Sequence, residues 1–157
     1  MITNEILATY PKVYDGEFCT IYDMRQEISH TSLIFWKGFY RVESPIFQKD
    51  MKYSLNYIQE RRIKVVISDH SLLKVVTPDV LTWLHANWYA TAAKNGLRVE
   101  AALEAQDIFA KATLGKCLKP KKSVIFMPLN STLLMMLAIS RLILQKKCGQ
   151  FQLYNSA

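Results

Sequence analysis

Glycine is scarce in this chain and is never clustered. Only five glycines occur among 157 residues, and they are far apart in the sequence. Loops that cradle nucleotide phosphates need neighbouring glycines because the backbone must approach the phosphate closely. The sequence therefore argues against a nucleotide-binding enzyme of the usual kinds.

Acidic residues are missing from the last part of the chain, where all of the excess positive charge lies. Residues 1–118 hold 14 Lys/Arg against 13 Asp/Glu, whereas residues 119–157 hold six Lys/Arg and no acid. The net charge of +7 is therefore a property of the tail and not of the main domain. Because nucleic-acid binding calls for a basic stripe with stacking aromatics, no nucleic-acid partner is predicted.

Histidines and cysteines are few, and none shows the paired spacing of a zinc site. These residues are Cys19, His30, His70, His85, Cys117 and Cys148. No metal and no cofactor is predicted from them. The odd number of cysteines and the absence of a signal-peptide pattern favour reduced thiols and a cytoplasmic location.

The remaining pattern predicts one domain over residues 15–118, with an irregular leader before it and an atypical tail over residues 119–157. β-Branched and aromatic residues predict two strands, Phe18–Met24 and Ser32–Lys37, the second closed by Gly38. The short polar link between them favours an antiparallel pair. Pro11 argues against regular structure in the leader.

Two helix starts follow the same rule, a polar cap residue followed by proline. The first is Ser44-Pro45, and the second is Thr77-Pro78, with Asp79 in its first turn. The apolar stripes of the two helices are Phe47, Met51, Leu55 and Ile58, and then Leu81, Leu84 and Trp88. Gly96 is predicted to end the second helix in the left-handed conformation.

Between and after these helices lie a buried strand, Ile63–Ser68, a fourth strand, Leu97–Leu103, and a short helix from Asp107. Alternation of strands and helices after an initial hairpin implies crossover connections. The predicted fold is α/β, a mixed and mostly parallel sheet with an antiparallel edge hairpin and helices packed against it.

These segments together resemble the STAS-like domains, the family typified by bacterial anti-sigma-factor antagonists, and in particular its small stand-alone bacterial members of unknown function. The resemblance covers roughly residues 15–114. It rests on Leu33–Gly38, Val66–Asp69, Thr77-Pro78, Trp83, Trp88 and Ala93–Gly96. It implies a bacterial signalling domain. In signalling members a Ser or Thr after the Asp that ends the third strand is phosphorylated, an arrangement that Asp69 and Ser71 approximate.

The candidate site is the polar trio Asp69-His70-Ser71, expected to form a loop at the carboxyl end of the third predicted strand. Open α/β sheets place their ligands at such ends. Thr77 and the amino end of its helix would add free N–H groups and a partial positive charge. Trp83 lies off the apolar stripe and could line a partner surface. Consecutive residues cannot make a catalytic triad, so no enzyme is predicted.

The tail from Ser123 to Ser140 carries no charge and admits three interpretations. One is a strand at Val124–Met127 followed by a buried helix. Another is membrane attachment, although the apolar helical part is too short to span a bilayer. The third is an out-of-frame ending, which would explain the loss of every acid.

Taken together, the sequence predicts a non-enzymatic regulatory or interaction domain that binds a partner protein or a small ligand at the Asp69 segment. Homodimerisation is left open. The alternative is a carrier of an apolar small molecule, with a pocket lined by aromatics. A sealed core around Trp36, Trp83 and Trp88 would favour the first function, and a large cavity there would favour the second.

Overall fold

The computed structural model describes residues 10–103 continuously, together with residues 8, 105, 108, 109 and 112 and the backbone of residues 125–129. The strands are β1 (Lys12–Asp15), β2 (Cys19–Asp23), β3 (Thr31–Tyr40), β4 (Val65–Val76), β5 (Val99–Leu103) and β6 (Ile125–Leu129). The helices are α1 (Pro45–Glu60), α2 (Pro78–Trp83) and α3 (Ala90–Lys94), with a π-helical segment, Leu84–Tyr89, between the last two.

The six strands form one sheet in which spatial order follows chain order. β1, β2 and β3 pair antiparallel, whereas β3, β4, β5 and β6 pair parallel. This confirms an α/β fold with a mixed sheet and an antiparallel edge. Right-handed crossovers that step in one direction place their helices on the same face of the sheet.

The core is divided by the sheet into two clusters. The larger cluster joins α1, α2 and the π-helical segment to one face through Phe47, Met51, Val80 and Trp88. The smaller cluster, on the other face, contains Tyr10, Met24, Leu33, Phe35, Ile67, Ala101 and Leu103. The long crossover helices therefore pack on a single face, and residues 66–70 of β4 are buried on both faces.

Helix α1 begins and packs as its sequence predicts. The Ser44 hydroxyl accepts the backbone N–H of Phe47 at 3.3 Å, and Pro45 occupies the first turn. Phe47, Met51 and Ile58 are fully buried on the stripe facing the sheet. The cap satisfies one of the otherwise unpaired N–H groups at the helix start.

The second predicted helix is present but is not regular throughout. Thr77 has an extended backbone and Pro78 opens α2, while Gly96 follows α3 with φ of 105°. The π-helical segment widens the middle turns. Trp88 is buried as predicted, whereas Leu81 and Leu84 are only half-buried against the core.

Two predictions near the hairpin were wrong. The leader was expected to lack regular structure up to residue 14, yet Lys12–Asp15 is an edge strand, and the Pro11 carbonyl accepts the N–H of Asp23 at 3.0 Å. Proline is tolerated beside an edge strand because no ladder donor is needed from it. Gly38 does not close its strand, because β3 continues to Tyr40; its φ of 84° fits the register shift beside Phe39.

The tail supplies the last strand of the sheet, since β6 lies parallel to β5. The strand expected at Val124–Met127 is thus present at Ile125–Leu129. The helix predicted beyond it lies outside the described residues, as does Asp107, although residues 108, 109 and 112 have helical backbone. Among the described helices, none is long and apolar enough to cross a membrane.

Candidate functional site at a bulge in the fourth strand

Asp69, His70 and Ser71 lie inside a strand and not in a loop. β4 continues through them to Val76, so the predicted end of the third strand at Ser68 was wrong. The strand can continue because β3 is also longer than expected and pairs with β4 as far as Val76. The polar trio nevertheless marks a boundary, since β5 ends opposite Asp69, at Leu103.

The pairing between β3 and β4 is irregular at this point. Phe35 lies opposite Asp69 and Lys37 opposite Leu72, so two residues of β4, His70 and Ser71, face one residue of β3. Such a two-against-one arrangement is a β-bulge, which locally disrupts the ladder. We call residues 69–71 the Asp69 bulge.

Two hydrogen bonds hold the Asp69 bulge in place. Asp69 Oδ1 accepts the backbone N–H of Ser71 at 2.8 Å. His70 Nδ1 lies 3.1 Å from the carbonyl oxygen of Leu103, at the end of β5. Because a carbonyl can only accept, His70 donates from Nδ1, which leaves Nε2 as an acceptor when the ring is neutral.

Other polar atoms of the bulge are enclosed without a partner. Asp69 is 0% exposed, and its register places it between Phe35 and Leu103 on the face opposite the helices. Within the part of the chain that the structure describes, Asp69 Oδ2 and Ser71 Oγ are buried and have no hydrogen-bond partner. An unpaired buried donor or acceptor destabilises the fold by about 1–3 kcal/mol, and a charged group by more.

The imidazole of His70 is held in its neutral form. Burial lowers the pKa of His70 to about 4, against smaller opposing effects from the Leu103 carbonyl and from Asp69. Near neutral pH the ring therefore offers no positive charge to balance the Asp69 carboxylate.

Thr77 and Trp83, the other two predicted site residues, are not part of the Asp69 bulge. Thr77 is six residues beyond Ser71, which along a strand is a distance of roughly 20 Å. Its side chain makes no capping hydrogen bond to the helix. Trp83 is half-buried and packs its ring on Phe47 with 5.3 Å between centroids, so it belongs mainly to the core.

A second polar group lies on the helix-covered face of the sheet, and sequence reasoning missed it. Trp36 Nε1 donates to Ser68 Oγ at 3.0 Å, and Ser68 in turn donates to the Glu100 carboxyl on β5. Glu100 is 1% exposed. The only sequence signal was an acidic residue inside an otherwise apolar strand, a pattern that is equally typical of an exposed position.

The carboxyl of Glu100 takes up a proton more readily than an exposed glutamate. Burial raises the pKa of Glu100 to about 7, and the hydroxyls of Ser68 and Tyr89 partly oppose the rise. Tyr89 ends the π-helical segment and packs edge-on against Trp88. π-Helical turns are often found at functional sites, and here the turn lies beside a titratable core group.

Neither polar group has the composition of a metal centre. Among the described residues, no three His, Cys, Asp or Glu side chains come together in a way that could hold an ion. The Asp69 bulge is instead suited to receive hydrogen-bond donors, because its unpaired atoms are a carboxylate oxygen and a hydroxyl.

Comparison with protein-family models, with curated proteins and with solved structures finds no match for this chain.

Proposed function

We propose that this chain is a non-enzymatic regulatory or interaction domain whose binding site is the Asp69 bulge. The ligand is a molecule that carries an ammonium or guanidinium group, either a small molecule or a Lys or Arg side chain of a partner protein. The observation that carries the proposal is that Asp69 Oδ2 and the Ser71 hydroxyl are both buried without a hydrogen-bond partner among the described residues.

Among the described residues, the Asp69 bulge lacks a donor for one of its two carboxylate oxygens. A buried carboxylate destabilises the folded state unless it is paired and hydrogen-bonded. Of the two Asp69 oxygens, one accepts the Ser71 N–H and the other accepts nothing among the described residues. A guanidinium or ammonium group would supply both the missing positive charge and the missing donor.

Access requires the bulge to open, because Asp69 is fully enclosed. Opening is favoured by two features. The bulge interrupts the ladder with β3, and β5 ends opposite Asp69, at Leu103. Local opening would let Asp69 hydrate, and ligand binding would then stabilise the open form. A regulatory domain can use such a pair of states.

Phosphorylation of Ser71, which the STAS-like resemblance implies, would need the same opening. The Ser71 hydroxyl is buried within β4 and does not lie on an exposed loop. The resemblance nonetheless supports the proposal, since it points to the same two residues, Asp69 and Ser71. A cytoplasmic location for the domain belongs to this proposal as well.

The alternative function, carriage of an apolar molecule, is supported less well by the aromatic core. Trp36 and Trp88 meet edge-to-face with 5.7 Å between ring centroids. Their ring N–H groups are both engaged, with Ser68 at 3.0 Å and Ser54 at 2.8 Å. The two indole rings therefore contact each other and leave no room for a ligand between them.

A titration with methylguanidinium tests the proposal, with backbone amide signals followed by NMR. Tetramethylammonium is the matched probe, because it has the same charge and no N–H donor. We expect methylguanidinium to shift the signals of Asp69, Ser71 and Leu103 in a saturable way, and tetramethylammonium to leave them unchanged.

Two variants complete the test. Asp69→Asn removes the charge and keeps the shape, and it should abolish the shifts. Glu43→Gln makes the same charge change at an exposed position and should retain them. Equal shifts from both probes, or shifts that survive in Asp69→Asn, would refute a donor-specific site at the bulge.

A further inference from the structure

A cleft with mostly basic walls lies apart from the Asp69 bulge. It has a volume of about 350 Å³ and lies where β3 and β4 begin. Its walls come from the β2–β3 connection and from the end of α1: Arg25, Ser29, His30, Glu60, Arg61 and Arg62. We call it the basic cleft. Its volume is at the lower end of the range for small-molecule sites.

The backbone of the basic cleft is held in an uncommon conformation on both sides. His30 has φ of 59° and Arg62 has φ of 53°, the left-handed region that residues other than glycine seldom adopt. Each such conformation lowers the stability of the folded chain by roughly 1–2 kcal/mol. They are the two described non-glycine residues with positive φ, and both face one cleft.

A set of hydrogen bonds maintains these two conformations. His30 donates from Nδ1 to the Arg62 carbonyl at 3.0 Å, so the two walls are tied directly together. The His30 carbonyl accepts the N–H groups of Lys64 at 2.8 Å and Val65 at 3.1 Å, which join the cleft to the start of β4. The walls are thus preorganised, and strained backbone that is held in this way is concentrated at functional sites.

The charges in the basic cleft are only partly balanced. Arg25 is engaged with Asp23, with Nε–Oδ1 and Nη2–Oδ2 distances of 2.9 and 2.6 Å. That pairing holds the pKa of Asp23 below its usual value. The ion pairs found among the described residues include neither Arg61 nor Arg62. Both of these side chains are exposed, and Glu60 is the one acidic residue among the described residues that line the cleft.

We infer that the basic cleft binds a small phosphomonoester. The guanidinium groups of Arg61 and Arg62 present planar, forked donors that match phosphate oxygens. The Ser29 hydroxyl can donate to a remaining oxygen, so a group with several terminal oxygens fits the walls better than a carboxylate with two. Glu60 is an acceptor, suited to a hydroxyl of the organic part of the ligand.

The cleft is larger than a phosphate ion alone requires, so it has room for an organic part of the ligand. The site is independent of the proposed function at the Asp69 bulge, because it lies at the amino ends of β3 and β4 and uses none of the same residues.

The test is a titration with glycerol phosphate, inorganic phosphate and acetate at constant ionic strength, followed by the amide signals of His30, Arg61 and Arg62. Constant ionic strength is needed because exposed charges are screened by salt. We expect saturable shifts with glycerol phosphate, weaker binding of inorganic phosphate and no saturable shift with acetate.

Two double variants separate a built site from general attraction to a basic surface. Arg61→Gln with Arg62→Asn removes two charges from the cleft, and Asn tolerates the left-handed conformation at position 62. Lys49→Gln with Lys52→Gln removes two charges from exposed positions on α1, the helix that precedes Arg61. The first pair should weaken glycerol phosphate binding by about tenfold or more, and the second should leave it nearly unchanged.

Three results would overturn the inference. They are equal weakening by the two double variants, acetate binding as tight as that of glycerol phosphate, and the absence of any saturable shift. Asp69→Asn should bind glycerol phosphate like the wild type, so failure at one site is distinguishable from failure at the other.

Discussion

Asp69 Oδ1 accepts the backbone N–H of Ser71 at 2.8 Å, while the other oxygen of the same carboxylate is buried without a partner among the described residues. The first oxygen shapes the bulge, and the second is available only to a group from outside it. A residue kept for stability alone would be expected to use both oxygens or to be uncharged. This asymmetry is the basis of the function proposed for the chain.

The pH dependence of stability should reveal two buried groups that act in opposite directions. The folded pKa of Glu100 is about 7, against 4.5 for an ordinary glutamate. Its contribution is therefore fully present below pH 4.5 and is lost as the pH rises through 7. The folded pKa of His70 is about 4, against 6.5, so its contribution is present above pH 6.5 and is lost as the pH falls through 4.

Each of these shifts corresponds to about 3 kcal/mol, at about 1.4 kcal/mol per pKa unit. Between pH 4.5 and 6.5 the two contributions should largely cancel in the wild type. In Glu100→Gln the His70 contribution remains, so the free energy of unfolding should rise with pH. In His70→Asn the Glu100 contribution remains, so the free energy of unfolding should fall with pH. Urea unfolding at several pH values measures both, and variants whose pH profiles run parallel to the wild type would contradict the assignment.

Gly16 is required by its contact with a buried carboxylate. A Cβ atom at position 16 would clash with the Asp50 carboxylate and would lie 2.7 Å from its Cγ. Asp50, on α1, is 1% exposed and accepts the Tyr14 hydroxyl at 2.6 Å and the Phe18 N–H at 2.8 Å. Gly16→Ala should therefore displace this anchor and destabilise the fold by about 2–4 kcal/mol, since each hydrogen bond to a charged group contributes about 1.5–3 kcal/mol.

The control for this prediction is Gly96→Ala, where the substitution meets no atom within 4 Å and only the positive φ is unfavourable. It should lower the free energy of unfolding by about 1–2 kcal/mol. In an Asp50→Ala background the effect of Gly16→Ala should nearly vanish. A double-mutant cycle with no coupling between positions 16 and 50 would show that the contact is not the reason for the glycine.

Two buried serines make it possible to distinguish the effect of the hydrogen bond to Glu100 from the effect of a buried serine in general. Ser68 accepts from Trp36 and donates to Glu100, whereas Ser54 accepts from Trp88 and donates to the Met51 carbonyl. Either change to alanine should lower stability by about 1–3 kcal/mol, because a tryptophan N–H is left unpaired. Only Ser68→Ala should also raise the pKa of Glu100 further, since its hydrogen bond lowers that pKa.

The readout is the pH interval over which stability declines, which should extend to higher pH in Ser68→Ala and stay unchanged in Ser54→Ala. Identical pH profiles for the two variants would mean that Ser68 does not act on the ionisation of Glu100.

Local sequence signals predicted much of this fold because they act over a few residues. The cap at Ser44, the helix start at Thr77-Pro78 and the left-handed Gly96 were all recognisable from residue type and spacing. The order of strands and helices then indicated a mixed sheet with an antiparallel edge, which the structure confirms.

The sequence was least informative for residues whose position depends on contacts between segments that are distant in the chain. Asp69, His70 and Ser71 look like a loop by composition, yet they are strand residues because β3 extends beside them to Tyr40. No role for Glu100 was predicted from the sequence, yet it is buried in the core and accepts the hydroxyl of Ser68. β3 is distant from Asp69 in sequence, and Ser68 is distant from Glu100. Propensity and periodicity, which depend on neighbouring residues, therefore carried no information about these contacts.

The most direct test of the central claim is the free energy of unfolding of Asp69→Asn, measured in urea beside the wild type and Glu43→Gln. Asparagine keeps the acceptor for the Ser71 N–H and removes the unpaired buried charge, so the variant should be as stable as the wild type or more stable by about 1–3 kcal/mol. Glu43→Gln, at an exposed position, should change little. A loss of stability in Asp69→Asn would mean that the carboxylate is fully paired within the folded chain, and the proposed ligand site would be refuted.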